Sequence, residues 1–322
     1  MLDSLVDKKI LVTGSAGFIG NNLIKKLIDI GNKKITGTLH KSKLKIEHDS
    51  VKYIECDLLN PEHCDLVTKD IDIVFMCAAI THGAAYIENN PLGLVNTNII
   101  INTNMLNSCY DNNVEKFVCI SSSTVYPNIE YPFKEEEMMS GPVFDKYFGV
   151  AWVKRFVEIL CEMYACKIKN PMKTLVVRPG NIYGEHDDFE IETSHVIPAL
   201  IRKVVERNNP LEVWGDGNDV RDFIYVKDFI DGLLLATDKI DDFMAINIAS
   251  GTSISVKEVL NVILEVEDYK NVNVIFDISK PSMIPKRLLN ISKSKELLGF
   301  VPEISIEDGI RRTVKWYKKE YC

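Results

Sequence analysis

The chain has 322 residues, 46% of them hydrophobic and 26% charged, and its formal net charge is −8. That composition is typical of globular proteins, and the length allows one large domain or two interlocked domains, each with its own core. The two charge signs are interspersed, no apolar stretch reaches the roughly 18 residues of a membrane span, and the start MLDSLVDKKILVTG does not resemble a signal peptide. We therefore expect neither nucleic acid nor membrane as a partner, and we expect a cytoplasmic location.

The eight cysteines and six histidines are scattered along the chain, without CxxC or HExxH spacing. Paired spacings of that kind are what metal sites and disulfide frameworks normally show. The pattern indicates reduced thiols and predicts no metal site.

In the first half of the chain, apolar runs alternate with helical patterns: KKILVTG, KKITGTL, VKYIECDL, IDIVFMCAA and VEKFVCISSS, followed by MKTLVVRPG. Runs such as IDIVFMCAA are apolar throughout, as expected for parallel strands that helices cover on both faces. The alternation predicts a doubly wound, Rossmann-type parallel α/β sheet with right-handed crossovers.

After Asn181 the pattern changes to turns, short strands and isolated helices without a flexible linker. We expect a dinucleotide-binding domain over residues 1–180, to which the chain returns at about 213–248. A smaller, mixed C-terminal substrate domain is expected over residues 181–212 and 249–322.

The first predicted strand leads into LVTGSAGFIG, which carries Gly14, Gly17 and Gly20 around Phe18 and Ile19. Glycine lets the backbone approach a pyrophosphate closely, and the helix that follows offers free N–H groups at its positive end. The GxxGxxG spacing differs from the GxGxxG fingerprint, but its place between a strand and a helix predicts dinucleotide binding.

The end of the second predicted strand indicates which dinucleotide binds. NAD-binding chains usually carry an acid there, whereas GTLHKSKLK carries His40, Lys41 and Lys43. Basic groups suit a 2′-phosphate, so NADP(H) is favoured over NAD(H), unless the lysines only solvate a loop. Asp57 in ECDLLN is expected near the adenine or close to a helix N-cap.

Several segments together carry a family resemblance: TGSAGFIG, CDLL, the CAA after the fourth strand, SSSTVYP, and RPGNIYG. They resemble the extended short-chain dehydrogenase/reductase family of NAD(P)-dependent epimerases and dehydratases, over essentially the whole chain. NIYGEHDDFEIETSHVIPALIRK and VWGDGNDVRDFIYVKD are most similar to members that epimerise and reduce GDP-4-keto-6-deoxy sugars.

The resemblance implies a role for individual residues. Ser122 corresponds to the serine that binds the reacting sugar oxygen, Lys154 to the lysine that holds the nicotinamide ribose, and His195 to an acid/base histidine. Further cofactor contacts are implied at Leu58, Ala78 and Ala79. Substrate contacts are implied at Thr81, His82, Asn181, Val196, Lys203, Trp214, Arg221 and Arg287, although Trp214 is also explained by core packing.

Two positions depart from the family pattern. In KYFGVAWVKRFVE the family tyrosine, four residues before Lys154, is replaced by Val150, which carries no proton. The cysteine that assists epimerisation is replaced by Thr124, whose hydroxyl is a poor base for carbon. Tyr147, His195, or Ser122 with a water could supply the proton. Alternatively the protein performs different chemistry, or Val150 is a laboratory substitution.

The resulting prediction is an NADP(H)-dependent oxidoreductase that exchanges hydride at C4 of a nucleotide sugar, with a GDP-linked sugar favoured. A 3- or 5-epimerase of a GDP-4-keto sugar and a catalytically silent dinucleotide-binding protein are the alternatives. The apolar stripes in LVNTNIIINTNMLNSCYD and AWVKRFVEILCEMYA match helices that pair as a four-helix bundle in the resembled family, which implies a homodimer.

Overall fold

A computed structural model describes residues 2–41, 44, 47–81, 90, 92–280 and 284–322. Its main sheet has seven strands, all parallel, in the order β11-β6-β5-β4-β1-β2-β3. These strands are β1 (Ile10–Val12), β2 (Ile35–Leu39), β3 (Val51–Glu55), β4 (Ile73–Met76), β5 (Lys116–Ile120), β6 (Lys173–Pro179) and β11 (Met244–Ile248).

Helices cover both faces of this sheet. The described helices are α1 (Asp3–Val6), α2 (Phe18–Asp29), α3 (Pro61–Thr68), α4 (Val95–Asp111), α5 (Phe148–Cys166), α6 (Val196–Val205), α7 (Val226–Lys239), α8 (Val256–Val266), α9 (Ser292–Leu298) and α10 (Ile306–Tyr321). Helix α4 packs against both α3 and α5, and α2 packs against α7. Along β1, Ile10 and Val12 join one core cluster and Leu11 joins another, because successive side chains of a strand point to opposite faces.

Smaller sheets follow the sixth strand. β7 (Asn181–Tyr183) pairs with β10 (Phe223–Tyr225), and β8 (Leu211–Trp214) pairs with β13 (Val274–Asp277). A mixed three-stranded sheet joins β12 (Ile254–Ser255), β9 (Val220–Arg221) and β14 (Lys286–Arg287). Two of these short strands, β9 and β14, carry Arg221 and Arg287.

The predicted fold class is confirmed: a doubly wound parallel sheet carries a smaller mixed part. The chain runs β1, β2, β3 to one side and then β4, β5, β6 to the other, so strand order reverses between β1 and β4. In such sheets ligands bind outside the carboxyl ends of the strands at this reversal. Within the described ranges, none of the helices combines the length and apolarity needed to span a membrane.

Candidate active site

The loop between β1 and α2 is shaped by close backbone contacts. Gly14 has φ +63°, and a Cβ atom added to it would lie 2.9 Å from the Cα of Ala78. A Cβ on Gly20 would lie 2.3 Å from the carbonyl oxygen of Gly14. Side chains are therefore excluded at both positions, and the loop leaves the N-terminus of α2, which begins after Gly17, open to an anion.

Neighbouring strands fix this loop in place. The backbone N–H of Gly14 donates to Thr38 Oγ1 over 3.0 Å, and Ser15 Oγ donates to the Thr38 carbonyl over 2.8 Å. Thr13 Oγ1 accepts from the N–H of Ala78 at 3.0 Å. The ends of β1, β2 and β4 are thus tied together, which brings Ala78 to the glycine loop.

His40 and Asp57 meet at the ends of β2 and β3, with His40 Nε2 lying 3.9 Å from Asp57 Oδ2. His40 and Lys41 are exposed. Asp57 is not the cap of α3, because Asn60 occupies that position and its side chain accepts from the Glu62 N–H. Leu58 is buried in the core, so only its backbone faces outward.

Ser122 and Lys154 come together at the end of β5. Ser122 Oγ accepts from the N–H of Thr124 at 3.1 Å and is 3.0 Å from Thr124 Oγ1. Lys154 Nζ, on α5, donates to the Ile120 carbonyl over 2.8 Å. Val150 lies one helical turn before Lys154, so the position of the family tyrosine is on the same side of α5.

A buried ion pair lies beneath Ser122. Both oxygens of Glu158 accept from Arg178 Nε over 3.1 Å, and each of these side chains is 3% exposed. Ser121 Oγ also hydrogen-bonds Glu158, and Arg178 Nη1 donates to Tyr126 Oη over 3.0 Å. This network fixes the strand end that carries Ser122. The sequence gives only a weak signal for it, since the partners are far apart along the chain.

Two buried arginines lie side by side on the three-stranded sheet, and Arg221 Nη2 is paired with Asp219 at 3.2 Å. Arg287 is aligned with Arg221 in the register of β14 and β9, and they are 3% and 8% exposed. Arg287 Nη1 donates to the carbonyl of Ser123, next to Ser122. Its Cζ lies 5.4 Å from the ring centroid of Tyr147. The structure therefore brings Ser122, Tyr147 and both arginines into one cluster.

The Nη2 atom of Arg287 is buried and has no hydrogen-bond partner among the described residues. Burial lowers the pKa of this guanidinium to about 10, which leaves it charged at neutral pH. A buried guanidinium with a free donor is costly unless an anion binds it.

Tyr147 ends a 3₁₀ turn directly before α5. Burial raises the pKa of its phenol, and the positive charges of Arg221 and Arg287 offset this in part. The phenol is therefore protonated at neutral pH.

A second cluster forms around α6 and β8. Lys203 Nζ donates to the Glu212 carbonyl over 2.7 Å, and Trp214 Nε1 donates to the Glu212 carboxylate over 3.0 Å. Trp214 is 41% exposed, so it is not a core residue. His195 is exposed at the N-cap of α6, directly before Val196.

The remaining predicted residues lie at strand ends. Asn181 is the first residue of β7, and its N–H donates to the Asp222 carbonyl over 2.7 Å. Thr81 is exposed beyond β4, and His82 lies outside the described residues.

Asn98 was missed by the sequence analysis. Its side chain accepts from the N–H of Ile80 and donates to the Ile80 carbonyl, both at 2.9 Å. A polar residue within the apolar stripe of α4 was the available signal. Asn98 holds the chain just after Ala79, near the cofactor side.

Comparisons with known proteins point to one enzyme family. The model of the family described as "NAD dependent epimerase/dehydratase family" matches residues 10–249. A putative GDP-L-fucose synthase 2 of Arabidopsis thaliana is 29% identical over 96% of this chain and 91% of its own length. A GDP-mannose 3,5-epimerase 1 of Oryza sativa subsp. indica is 29% identical over 97% and 82%.

A solved UDP-glucose 4-epimerase of Thermotoga maritima, with UDP-glucose, superposes with a TM-score of 0.86 at 27% identity. The superposition covers 96% of this chain and 98% of the epimerase. The relatives act on sugars linked to different nucleotides, so they agree on the class of substrate more than on the base.

Proposed function

The chain belongs to the NAD-dependent epimerase/dehydratase family, and we propose that it is an NADP(H)-dependent oxidoreductase that exchanges hydride at C4 of a GDP-linked sugar. The relatives named as GDP-L-fucose synthase and GDP-mannose 3,5-epimerase support the GDP link. The pair of buried arginines beside Ser122 is the observation that carries the proposal.

Arg287 and Arg221 suit the diphosphate of a nucleotide sugar. A guanidinium presents its donors in a fork that matches phosphate oxygens, and Arg287 offers Nη2 free of any described protein partner. Because Arg287 also binds the carbonyl of Ser123, a diphosphate there would place the attached sugar near Ser122. The exposed Trp214 and the neighbouring Lys203 are proposed to contact the nucleotide end.

The glycine loop fits a dinucleotide. Gly14 and Gly20 leave no room for a side chain where the backbone meets the N-terminus of α2, which suits a pyrophosphate. Gly17, Phe18 and Ile19 form the start of that helix, and Ala78 and Ala79 border the loop from β4. His40 and Lys41 favour NADP(H), while Asp57 stands next to His40 and Leu58 contributes backbone.

Ser122 and Lys154 prepare the reaction at C4. When bound, the nicotinamide supplies or accepts the hydride. Ser122 donates a hydrogen bond to the C4 oxygen, and Thr124 Oγ1, 3.0 Å from Ser122 Oγ, orients that hydroxyl. Lys154 holds the ribose beside the end of β5 and adds positive charge near the oxygen on which negative charge develops.

The proton on the C4 oxygen requires a donor other than Val150. We assign it to His195, because an unperturbed imidazole titrates near pH 6.5 and suits proton transfer. Tyr147 is the alternative donor. Its ring packs against Arg287, which supports a role in holding the arginine rather than in proton transfer.

The proposal is tested by restoring the missing acid. Val150→Tyr is expected to raise kcat for NADPH-dependent reduction of a GDP-4-keto-6-deoxy sugar, but by less than the about 10²–10⁴-fold of a first placed acid, because His195 already supplies part of that contribution. If Val150→Tyr gains nothing over the unchanged chain, the account of a lost acid is wrong.

In the same assay His195→Asn is expected to lower kcat about 100-fold, and Tyr147→Phe to change it little. If neither variant changes kcat relative to the unchanged chain, an ordered water on Ser122 remains as the donor. Product analysis by NMR separates reduction at C4 from epimerisation at C3 or C5.

Val150 favours one rival, a dinucleotide-binding protein without catalysis. Such a protein has no need for Ser122, Lys154 and the buried arginine pair in one cluster. This rival is correct if the chain binds NADPH but not GDP, and if Val150→Tyr reduces no GDP-4-keto sugar.

We further propose a homodimer through α4 and α5. The exposed face of α5 carries Phe148, Trp152, Phe156, Ile159 and Met163, each at least 40% exposed. Beside it lies an apolar groove of about 380 Å³ between the N-terminal ends of α4 and α5. An apolar face of this kind is what a second copy of the chain would cover in a four-helix bundle. Sedimentation of Trp152→Glu tests it: the variant is expected to be monomeric, whereas an unchanged mass would exclude this face.

The proposal also divides the chain. Residues 1–180 are assigned to the cofactor and residues 181–212 and 249–322 to the nucleotide sugar. The return at about 213–248 is supported by α7, which packs on α2, and by β11, which joins the main sheet. Arg221 lies within that return, so it serves the substrate from the cofactor part.

A further inference from the structure

A second cleft, of about 470 Å³, lies on the outer side of the cofactor helix α2. It is enclosed by α2, the start of α7, helix α10 and the loop after β7. None of its lining residues belongs to the proposed active site. The cleft is therefore a separate feature of the same scaffold.

The cleft is positively charged, in a chain whose net charge is −8. Its basic lining residues are Lys25, Lys26, Lys227, Arg312 and Lys319. Its acidic lining residues are Asp29, Glu185 and Glu320. The lining thus has an excess of positive charge before any ion pair is considered.

Lys319 is paired with Glu320 at 3.8 Å, and once Asp231 is included the cleft keeps an excess of one positive charge. Lys26 and Lys227 share a single carboxylate, that of Asp231, over 2.6 and 2.9 Å. Lys25 and Arg312 have no carboxylate within ion-pair distance among the described residues. These two side chains are available to an anion.

Glu185 lines the same cleft as Arg312, and its carboxylate accepts a hydrogen bond from a tyrosine. Both oxygens of Glu185 lie 2.5 and 2.6 Å from the hydroxyl of Tyr225, whose ring lies 5.8 Å from the Arg312 guanidinium carbon. Asn22 Nδ2 donates to the Glu185 carbonyl over 2.9 Å and fixes its backbone. Glu185 therefore forms an acidic part of the wall, and the guanidinium of Arg312 lies over the Tyr225 ring without a described carboxylate partner.

We propose that this cleft binds a small phosphorylated compound, with Lys25 and Arg312 as its principal phosphate contacts. A guanidinium binds phosphate oxygens bidentately and an ammonium adds a compact point charge. The volume of about 470 Å³ suits one small metabolite. Glu185 and Asn22 connect the cleft to the start of α2 and to the loop after β7, so the ligand would lie against both.

Inorganic pyrophosphate is the probe, and isothermal titration calorimetry on the full chain is the measurement. The cleft variant is Lys25→Ala/Arg312→Ala. The matched control is Lys33→Ala/Arg311→Ala, which removes the same charge from exposed positions that do not line the cleft. Any pyrophosphate bound at the glycine loop or at Arg287 contributes equally to all three proteins.

The cleft variant is expected to lose one pyrophosphate-binding event, or to bind it at least 10-fold more weakly than the control. Equal binding in the cleft variant and the control overturns the proposal. An equal loss in both variants also overturns it, since general charge would then explain the binding. NADPH affinity, measured in parallel, is expected to be unchanged in both variants, which confirms that each of them is folded.

Discussion

The two walls of the proposed active site are built in different ways. The cofactor wall is made of backbone, where Gly14 and Gly20 permit contacts that any side chain would block. The substrate wall is made of charged side chains, with Arg221 and Arg287 carried on short strands far apart in the chain. The first wall is specified by a continuous segment of sequence and the second by long-range strand pairing. We therefore expect mutations in the first wall to lower NADPH affinity and mutations in the second to lower GDP affinity.

The largest effect is expected at the cofactor wall. In Gly20→Ala the new Cβ would lie 2.3 Å from the Gly14 carbonyl oxygen, and backbone cannot move aside as a flexible side chain does. The new Cβ displaces the loop that is proposed to hold the pyrophosphate, so NADPH affinity should fall on the order of 100-fold, a loss of about 3 kcal/mol in binding free energy. Fluorescence titration with NADPH measures it.

Gly17→Ala is the graded control, because its Cβ would lie 3.1 Å from the same oxygen and needs only a small shift. Gly17→Ala should lower the affinity for NADPH less than Gly20→Ala does. Equal affinities in the two variants would show that close backbone contact does not define this wall.

The next effect is expected at the substrate wall. Arg287→Ala removes the buried guanidinium, and truncating a buried charged contact costs about 2–5 kcal/mol, so GDP affinity should fall at least about 30-fold. NADPH affinity should stay unchanged. Arg287→Lys keeps the charge but not the fork and should restore only part of the loss. If the variant loses affinity for both NADPH and GDP, the two walls do not act independently.

The smallest effect is expected at the 2′ end of the cofactor. His40→Ala/Lys41→Ala removes two exposed basic groups, each worth at most about 1 kcal/mol. NADPH affinity should fall about 5-fold while NADH affinity stays constant. Parallel titrations with both dinucleotides measure the ratio, and an unchanged ratio would remove these residues from cofactor selection.

The same contrast explains how much could be predicted from the sequence. The parallel sheet and the glycine loop were readable because apolar periodicity and LVTGSAGFIG are continuous in the chain. The resemblance also indicated Arg221 and Arg287, but not that the two lie in register or that Arg287 contacts Ser123, 164 positions away. Contacts of that kind depend on strand pairing, which no local pattern encodes.

Polar residues within apolar runs were the hardest to interpret. Asn98 belongs to the apolar stripe of α4 and its bonds to Ile80 went unpredicted. Asp57 was expected near the adenine or at a helix cap, and its approach to His40 needed the adjacency of β2 and β3. In each case the partner comes from a different element, so the side chain alone gave little information.

The central claim is that a nucleotide diphosphate binds at the arginine pair beside the cofactor. Thermal unfolding of the unchanged chain with NADPH alone, GDP alone and both tests it most directly, because a ligand that binds only the folded state raises Tm. The account predicts that GDP raises Tm in the presence of NADPH, and that Arg287→Ala abolishes this increment while keeping the increment from NADPH. A chain stabilised by NADPH whose Tm does not respond to GDP would contradict it.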